Sequence, residues 1–474
     1  MNVRSIAAIN AGRLAGMASR VLGRGGGTAV AGLVANSVDP QLAQHLARQL
    51  AHGTAIVTGT NGKTTTSSML VDIARAAGLS TLANASGSNL MRGISSALID
   101  ESGLTGSLRD PDRLGVLEVD EATVPEAALA LEPRVIVFTN LFRDQLDRYG
   151  EVDTVAQLWR TAVRKLPEST TLVLNVDDPA VASLASDARG PVLTFGIEDT
   201  SVASDAELGL DHAADYRFCI TCGSELEYAA AFYGHIGHWR CPSCGRARPA
   251  PDLTATSVEM LAHSSRVTLQ QAGDQLDFEL PLVGLYNVQN ALAAVASAVT
   301  LGLPYDAIKR ALGSFQPAFG RQERFDVDGR EVLVFLAKNP TGLNQVLRTI
   351  SSDASGATRP EGARHFLFFL NDGIADGRDI SWIWDADYEL IAEDARSVVV
   401  SGTRAEELAL RLKYADLAAT PALVRDTATA LAAAITATPQ GETLHIIPTY
   451  TAMLDVREQL ARRASKRPFW EQAS

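Results

Sequence analysis

The sequence predicts an α/β protein with two domains built on largely parallel sheets. The first carries a phosphate-binding P-loop and an inserted four-cysteine zinc ribbon, and the second is smaller and Rossmann-like. Three observations predict this: a β-branched run that ends in a glycine loop and a helix, strand-helix alternation in both halves of the chain, and four cysteines confined to one short window.

The β-branched run from Thr54 leads straight into Gly59, Thr60, Asn61, Gly62, Lys63, Thr64 and Thr65, and the residues from Thr66 onward continue at helical spacing. Gly59 and Gly62 let backbone N–H groups turn toward phosphate oxygens. Lys63 is placed to reach the β/γ-phosphates of a nucleotide, and Thr64 to offer its hydroxyl to Mg²⁺ at a helix start. The spacing Gly59-x-x-Gly62 is shorter than the general pattern. A plain glycine turn would account for the two glycines but not for the Lys-Thr-Thr that follows.

Cys219, Cys222, Cys241 and Cys244 form two C-x2-C pairs separated by eighteen residues, with Gly223 and Gly245 behind the pairs to help each tight turn. Four thiolates complete a closed tetrahedral shell, so the zinc is expected to be structural and to contribute on the order of 10 kcal/mol to folding the insert. Two disulfides are the competing reading, disfavoured in the reducing compartment that an ATP site implies. His235 and His238, between the pairs, are expected on the surface.

The chain has 474 residues, 46% of them hydrophobic, enough for two or three domains with substantial cores. A net charge of −13 argues against an extended nucleic-acid footprint, and Arg217, Arg240, Arg246, Arg248 and Trp239 around the cysteines make only a modest cluster. No stretch approaches the ~20 apolar residues of a membrane span. Arg4, Arg13, Arg20 and Arg24 are scattered among apolar residues without a continuous h-region, which argues against secretion and suits an amphipathic helix packed on its own protein.

Residues 1–53 are expected to be an N-terminal helical segment, 54–318 an ATP-binding domain with the zinc ribbon at 215–250, and 319–474 a C-terminal domain. In the first domain, strands at Leu114–Val119, Arg134–Phe138 and Thr171–Leu174 alternate with helices. After the insert the alternation resumes with SRVTLQQ and QLDFELPLV before an Ala-rich helix, Val288–Leu301. QPAFG, up to Gly320, reads as a linker, and strands at Glu331–Phe335, His365–Leu370, Ser397–Val400 and Leu444–Ile447 follow.

Several motifs then fall in one order: GTNGKTT at Gly59–Thr65, TNLFRDQLDRYGE at Thr139–Glu151, LNVDDP at Leu174–Pro179, GLYNVQNALAA at Gly284–Ala294, GRQE at Gly320–Glu323 and AKNPTG at Ala337–Gly342. From Thr54 to the C-terminus the chain resembles the Mur ligase family. The cysteine insert and Asn371–Glu389 are similar to those of the family's branch that serves as the ATP-dependent subunit of lipid II isoglutaminyl synthase. Only 58 residues precede Gly59, too few for a UDP-binding domain of about a hundred residues, so a lipid-linked substrate is expected.

The resemblance implies acyl activation: the γ-phosphate of ATP moves onto the α-carboxyl of D-glutamate in the lipid II stem peptide, and ammonia attacks the acyl phosphate. It implies ATP, Mg²⁺ and structural Zn²⁺, a cytoplasmic chain that works at the inner face of the plasma membrane, and a GatD-like glutaminase partner. All four thiols are committed to zinc, so none remains to hydrolyse glutamine. Glu118, closing a strand, would hold Mg²⁺ with Thr64, with Asp120 and Glu121 behind it. Asn287 and Asn290, three apart on one helical face, would contact the adenine, or else be ordinary polar caps. Arg321 would reach phosphate from the linker.

By the same resemblance Asp379, in the DGRD element, would cross an interface to orient the partner's catalytic histidine; by its chemistry alone it is a loop aspartate near a helix start. The chain departs from the family in three places. Gln145 follows Asp144 where a histidine is usual, Trp159 stands where a carbamylated lysine would bridge a second metal, with Lys165 out of place nearby, and Lys338 replaces a histidine. A nucleic-acid module and a stand-alone ligase of the folylpolyglutamate type are the alternative functions.

Overall fold

The computed structural model describes residues 2–21, 29–84, 88–144, 152–203, 215–261, 263–316, 321–351 and 364–463. Its order is set by β1 (Thr54–Thr58), whose five residues are all buried. Successive side chains of a strand point to opposite faces, and here they feed two cores. Ala55 joins Leu70, Ile73, Val116, Val137 and Ala294 on one face, while Ile56 joins Leu117, Ile136 and Phe138 on the other with Ala8, Ile9, Leu42 and Leu46. The N-terminal residues form helices Val3–Val21, Val30–Val38 and Leu42–Ala47, which cover that second face. No helix among the described residues is long and apolar enough to cross a membrane.

Among the described residues the larger sheet has nine strands. β2 (Ser80–Ala83), β3 (Arg113–Glu118), β4 (Val135–Phe138), β5 (Thr171–Asn175) and β6 (Val192–Ile197) pair in parallel with β1 at the centre, in the order 2-3-1-4-5-6. Beyond the two-stranded hairpin of β7 (Glu227–Tyr233) and β8 (Ile236–Arg240), β9 (Leu253–Met260) extends this sheet in parallel from β6. β10 (Ser265–Gln271) and β11 (Asp274–Leu280) then add antiparallel edges. The sequence reading found β10 and β11 but took them to resume a parallel alternation and did not assign β9. Its residues alternate buried and partly exposed, and the polar half of that alternation hides a strand from a search for apolar runs.

Among the described residues the smaller sheet has six strands. β12 (Arg321–Val327) pairs antiparallel with β13 (Arg330–Phe335), and β14 (Arg364–Phe369), β15 (Ala395–Ser401), β16 (Ala422–Leu423) and β17 (Thr443–Pro448) complete the order 12-13-17-14-15-16 in parallel. Gln316 is the last described residue of the expected linker; the rest of it, Gly320 included, lies outside the described residues. Parallel sheets present ligands at their carboxyl edges, and those of the two sheets face one cleft.

Candidate functional site: a cleft at the carboxyl edges of two sheets

The loop expected to bind phosphate leaves β1 in a conformation only glycine tolerates. Gly59 and Gly62 have φ of +138° and +88°, and a Cβ at Gly62 would lie 1.9 Å from Asn290 Oδ1. The end of β4 braces the loop from outside. Thr139 Oγ1 donates to the Asn61 carbonyl at 3.0 Å, Asn140 Oδ1 accepts from Asn61 N at 2.9 Å, and Thr60 N donates to the Asn140 carbonyl at 3.0 Å. The helix Lys63–Ala76 begins directly after Gly62, so its first N–H groups and positive dipole end face the loop.

Lys63 curls back over this loop. Its Nζ donates to the Gly59 carbonyl at 2.5 Å, the Thr60 carbonyl at 3.1 Å and Glu121 Oε2 at 3.1 Å, with both side chains buried. Thr64 Oγ1 donates to Glu118 Oε2 at 2.8 Å. The geometry therefore joins the expected Thr64 and Glu118 at the end of β3, an oxygen pair suited to a hard cation. Asn84 fixes that strand end, donating to the Glu118 carbonyl and accepting from Glu118 N, each at 2.9 Å. Asp120 accepts from Ala122 N and caps the turn Glu121–Thr123, whereas Glu121 points to Lys63.

Residues after β13 close the cleft from the second sheet. Asn339 Nδ2 donates to Asn61 Oδ1 at 3.0 Å, Lys338 Nζ bonds to Asp144 Oδ2, and Arg143 pairs with Asp385 at 3.3 Å. Lys338 thus lies beside a second buried carboxylate, close enough to Glu121 to act on its charge. Burial works to raise the Glu121 carboxyl, but the ammonium groups of Lys63 and Lys338 outweigh it and hold the group below the usual carboxylate range. Burial dominates at Asp144 and raises its carboxyl, with Lys338 opposing. Trp159 brings no ligand atom here: its indole packs on Phe138, and Nε1 donates to the Glu121 carbonyl at 2.9 Å. Lys165 is exposed on the turn beyond the helix Val152–Val163 that carries Trp159.

Asn287 and Asn290, both buried on the helix Leu285–Thr300, line the same cleft with Tyr233, Tyr286, Phe335 and Gln345. Gln322 spans it by donating to the Val283 carbonyl and to the Tyr286 hydroxyl, each at 2.7 Å. The side chain of Arg321 and residues 145–151 lie outside the described residues.

The four cysteine sulfurs all lie within 4.8 Å of one another, with Cys219–Cys244 at 3.6 Å and Cys222–Cys241 at 3.4 Å. Sulfurs at ~2.3 Å from a tetrahedral zinc are separated by roughly 3.8 Å, whereas a disulfide needs about 2.05 Å, so the donor set fits zinc and not two disulfides. The expectation of surface histidines fails. His235 is wholly buried, its Nε2 3.3 Å from Asp178 Oδ2, and His238 Nε2 donates to the Ile197 carbonyl at 2.7 Å. Each serves to dock the hairpin: His235 sits in the turn between β7 and β8, and His238 on β8.

Asp379 is exposed on the loop after β14, where Oδ1 accepts from Ser381 N at 2.8 Å. Bonds from the Ser381 side chain and backbone hold its carboxyl below the ordinary range. Exposed Ile374 and Trp384 belong to the same segment, and the Tyr414 ring packs at 5.8 Å from Trp384. Sequence reasoning missed Asn84, Thr139, Asn140, Gln322 and Asn339; the motifs that contain Thr139, Asn140, Gln322 and Asn339 were their only signal.

Comparison with known proteins agrees with this architecture. Residues 57–236 match the Mur ligase middle domain and residues 336–453 the MurT ligase C-terminal domain. The chain is 34% identical over 461 residues to the MurT subunit of lipid II isoglutaminyl synthase from Staphylococcus aureus, covering 97% of this chain and 98% of that protein. Identity to the corresponding subunit from Streptococcus pneumoniae is also 34%, over 98% of both chains. Among solved structures, a pseudomurein peptide ligase type C from Methanothermus fervidus superposes with a TM-score of 0.64 at 23% identity, over 86% of this chain and 78% of that one, which speaks to the fold. By sequence over nearly its whole length, this chain belongs to the MurT branch of the Mur ligase family.

Proposed function

We propose that the chain is the ATP-dependent subunit of an amidating ligase that turns the α-carboxyl of D-glutamate in the lipid II stem peptide into the amide of D-isoglutamine, with ammonia supplied by a GatD-like glutaminase. The observation that carries this reading is the convergence of charges from the two sheets on one cleft: Lys63 on Glu121 from the phosphate loop, and Lys338 on Asp144 from the opposite side.

In this reading 54–318 binds ATP and 319–474 closes over it. The substrate carboxylate attacks the γ-phosphorus, ADP leaves, and the acyl phosphate is attacked by ammonia, which expels phosphate and loses a proton. Such a transfer depends mainly on positioning and charge neutralisation. The residues Gly59, Thr60, Asn61, Gly62 and Thr65 cradle the phosphates with backbone N–H groups, and Lys63 leaves Glu121 to meet them. Lys338 supplies a second fixed cation where Trp159 precludes a lysine-bridged metal. Asn287 and Asn290 hold the adenine end and Arg321 reaches phosphate. Thr64 and Glu118 are the oxygen ligands for Mg²⁺, which the Mur ligase family uses with ATP and which would neutralise phosphate charge.

Asp379 serves the partner. It is exposed, ionised and flanked by exposed Ile374 and Trp384, as an interface carboxylate that orients a histidine should be. The chain works in the cytoplasm at the membrane's inner face, where a lipid-linked peptide is presented. Incubation of the purified chain with lipid II, ATP and Mg²⁺, in the presence of both ammonium and a mixture of free amino acids and read by mass spectrometry, tests the reading. Amidation of the stem peptide is expected; amidation of nothing, or addition of an amino acid in place of ammonia, contradicts it.

A further inference from the structure

The zinc insert is hooked onto the segment after β5 by three contacts to Val176 and Asp177. Gly237 N donates to the Asp177 carbonyl at 2.9 Å and Trp239 Nε1 to the Val176 carbonyl at 3.0 Å. Arg248, four residues past the last cysteine, pairs with buried Asp177 at 2.7 Å. These contacts drive the tip of the β7–β8 hairpin inward. Tyr233, His235 and Ile236 are all buried, and a Cβ on Gly234 would sit 2.9 Å from the Phe142 ring and 3.6 Å from Thr341 Cγ2.

That tip ends at the nucleotide cleft. Tyr233 lines it together with Gly62, Thr65, Asn287 and Asn290, and its hydroxyl donates to Gln289 Oε1, one position from Asn290 on the same helix. Gln289 is itself held by Asp177 at 3.0 Å. Behind Tyr233, the Phe142 ring packs on His235 at 4.5 Å, and Phe142 N donates to Thr60 Oγ1 of the phosphate loop at 2.9 Å. A continuous chain of contacts therefore runs from the cysteine cluster through the hairpin to two walls of the cleft.

We infer that the tip of the zinc insert is part of the ATP site, with Tyr233 as a nucleotide-contacting wall residue and the four-cysteine cluster as the anchor that holds it there. This rests on the reading of Gly59–Thr65 as an ATP loop. An aromatic wall buried on its back face offers rigid apolar area at little entropic cost, and its bonded hydroxyl fixes the ring orientation.

The test is a calorimetric titration of the full-length chain with a non-hydrolysable ATP analogue, run in parallel on wild type, Tyr233→Phe and Tyr233→Ala, with zinc content measured on each sample. Tyr233→Ala should raise Kd about tenfold or more, and Tyr233→Phe by a smaller factor, while bound zinc stays at the wild-type level. Unchanged Kd in both variants overturns the inference. If Tyr233→Ala fails to fold, Tyr233→Phe alone decides, because it removes one oxygen and keeps the ring. Wild type that binds no analogue would instead overturn the ATP reading itself, so the two failures are separable.

Discussion

Lys63 and Glu121 hold each other at 3.1 Å with only 7% of either side chain exposed. A buried carboxylate that loses its partner costs about 3–5 kcal/mol, so this pair fixes the loop in the form described. Under the proposed function, exchange of the Glu121 oxygen for a phosphate oxygen is the movement that ATP binding asks of Lys63.

Lys63→Ala should therefore do two things. ATP turnover should fall about 10³-fold, the scale of a lost phosphate cation, and the unfolding midpoint should drop because Glu121 is stranded. Lys63→Ala with Glu121→Gln should regain stability without regaining turnover. Thermal unfolding and ADP release, measured side by side, check both; near-normal ADP release in either variant removes Lys63 from the site.

Lys338→Gln keeps a polar side chain, one atom shorter, but removes the charge that meets Asp144 from across the cleft. With Asp144 left buried and Lys338 neutral, kcat should fall about 10²-fold while ATP Kd changes little, since the phosphate loop is intact. Equal losses in kcat and ATP affinity would assign Lys338 to nucleotide binding.

Metal analysis of freshly prepared reduced protein should return one zinc per chain, and Cys222→Ser should lower both zinc content and thermal stability. Sequence alone suggests no direct effect of that change on ATP. The docking of the hairpin tip against Phe142 alters the expectation: weakened ATP binding should accompany zinc loss. Absence of zinc from the reduced protein would contradict the assignment of the cluster.

Much of the site was legible because its chemistry is local. Gly59–Thr65 is a contiguous loop, and Cys219 to Cys244 declare themselves by spacing. Thr64 and Glu118 meet in a hydrogen bond because a parallel sheet brings a strand end and an adjacent helix start together. What stayed hidden depends on long-range docking. His235 looks like a surface residue until β7 and β8 fold back and bury it on Asp178, 57 positions away. Asn339 and Gln322 act only once the second sheet closes on the first, and no local pattern encodes that closure.

Asp187 offers a check on electrostatics remote from the cleft. Burial opposes its charge, but bonds from Arg160 and Arg164 outweigh this and hold the carboxyl below its ordinary 3.8. A depressed folded value contributes stability that is fully present above the unfolded value and is lost as pH falls through the folded one. The stability gap between wild type and Asp187→Asn should be constant above about pH 5 and should shrink below pH 3.8. Denaturant unfolding across that range measures it; a gap that widens on acidification reverses the sign.

The central claim, that this chain activates a lipid-linked carboxylate for ammonia delivered by a glutaminase subunit, is tested most directly by Asp379→Asn in the assembled two-subunit enzyme. Lipid II amidation is measured with glutamine and, separately, with excess ammonium. Asparagine keeps the interface but favours the wrong imidazole tautomer in the partner, a change that costs about 10⁴-fold in serine-protease triads, whereas Lys63, Thr64 and Glu118 are untouched. The account predicts collapse of the glutamine-driven rate with the ammonium-driven rate preserved. Equal loss of both rates, or loss of neither, would contradict it.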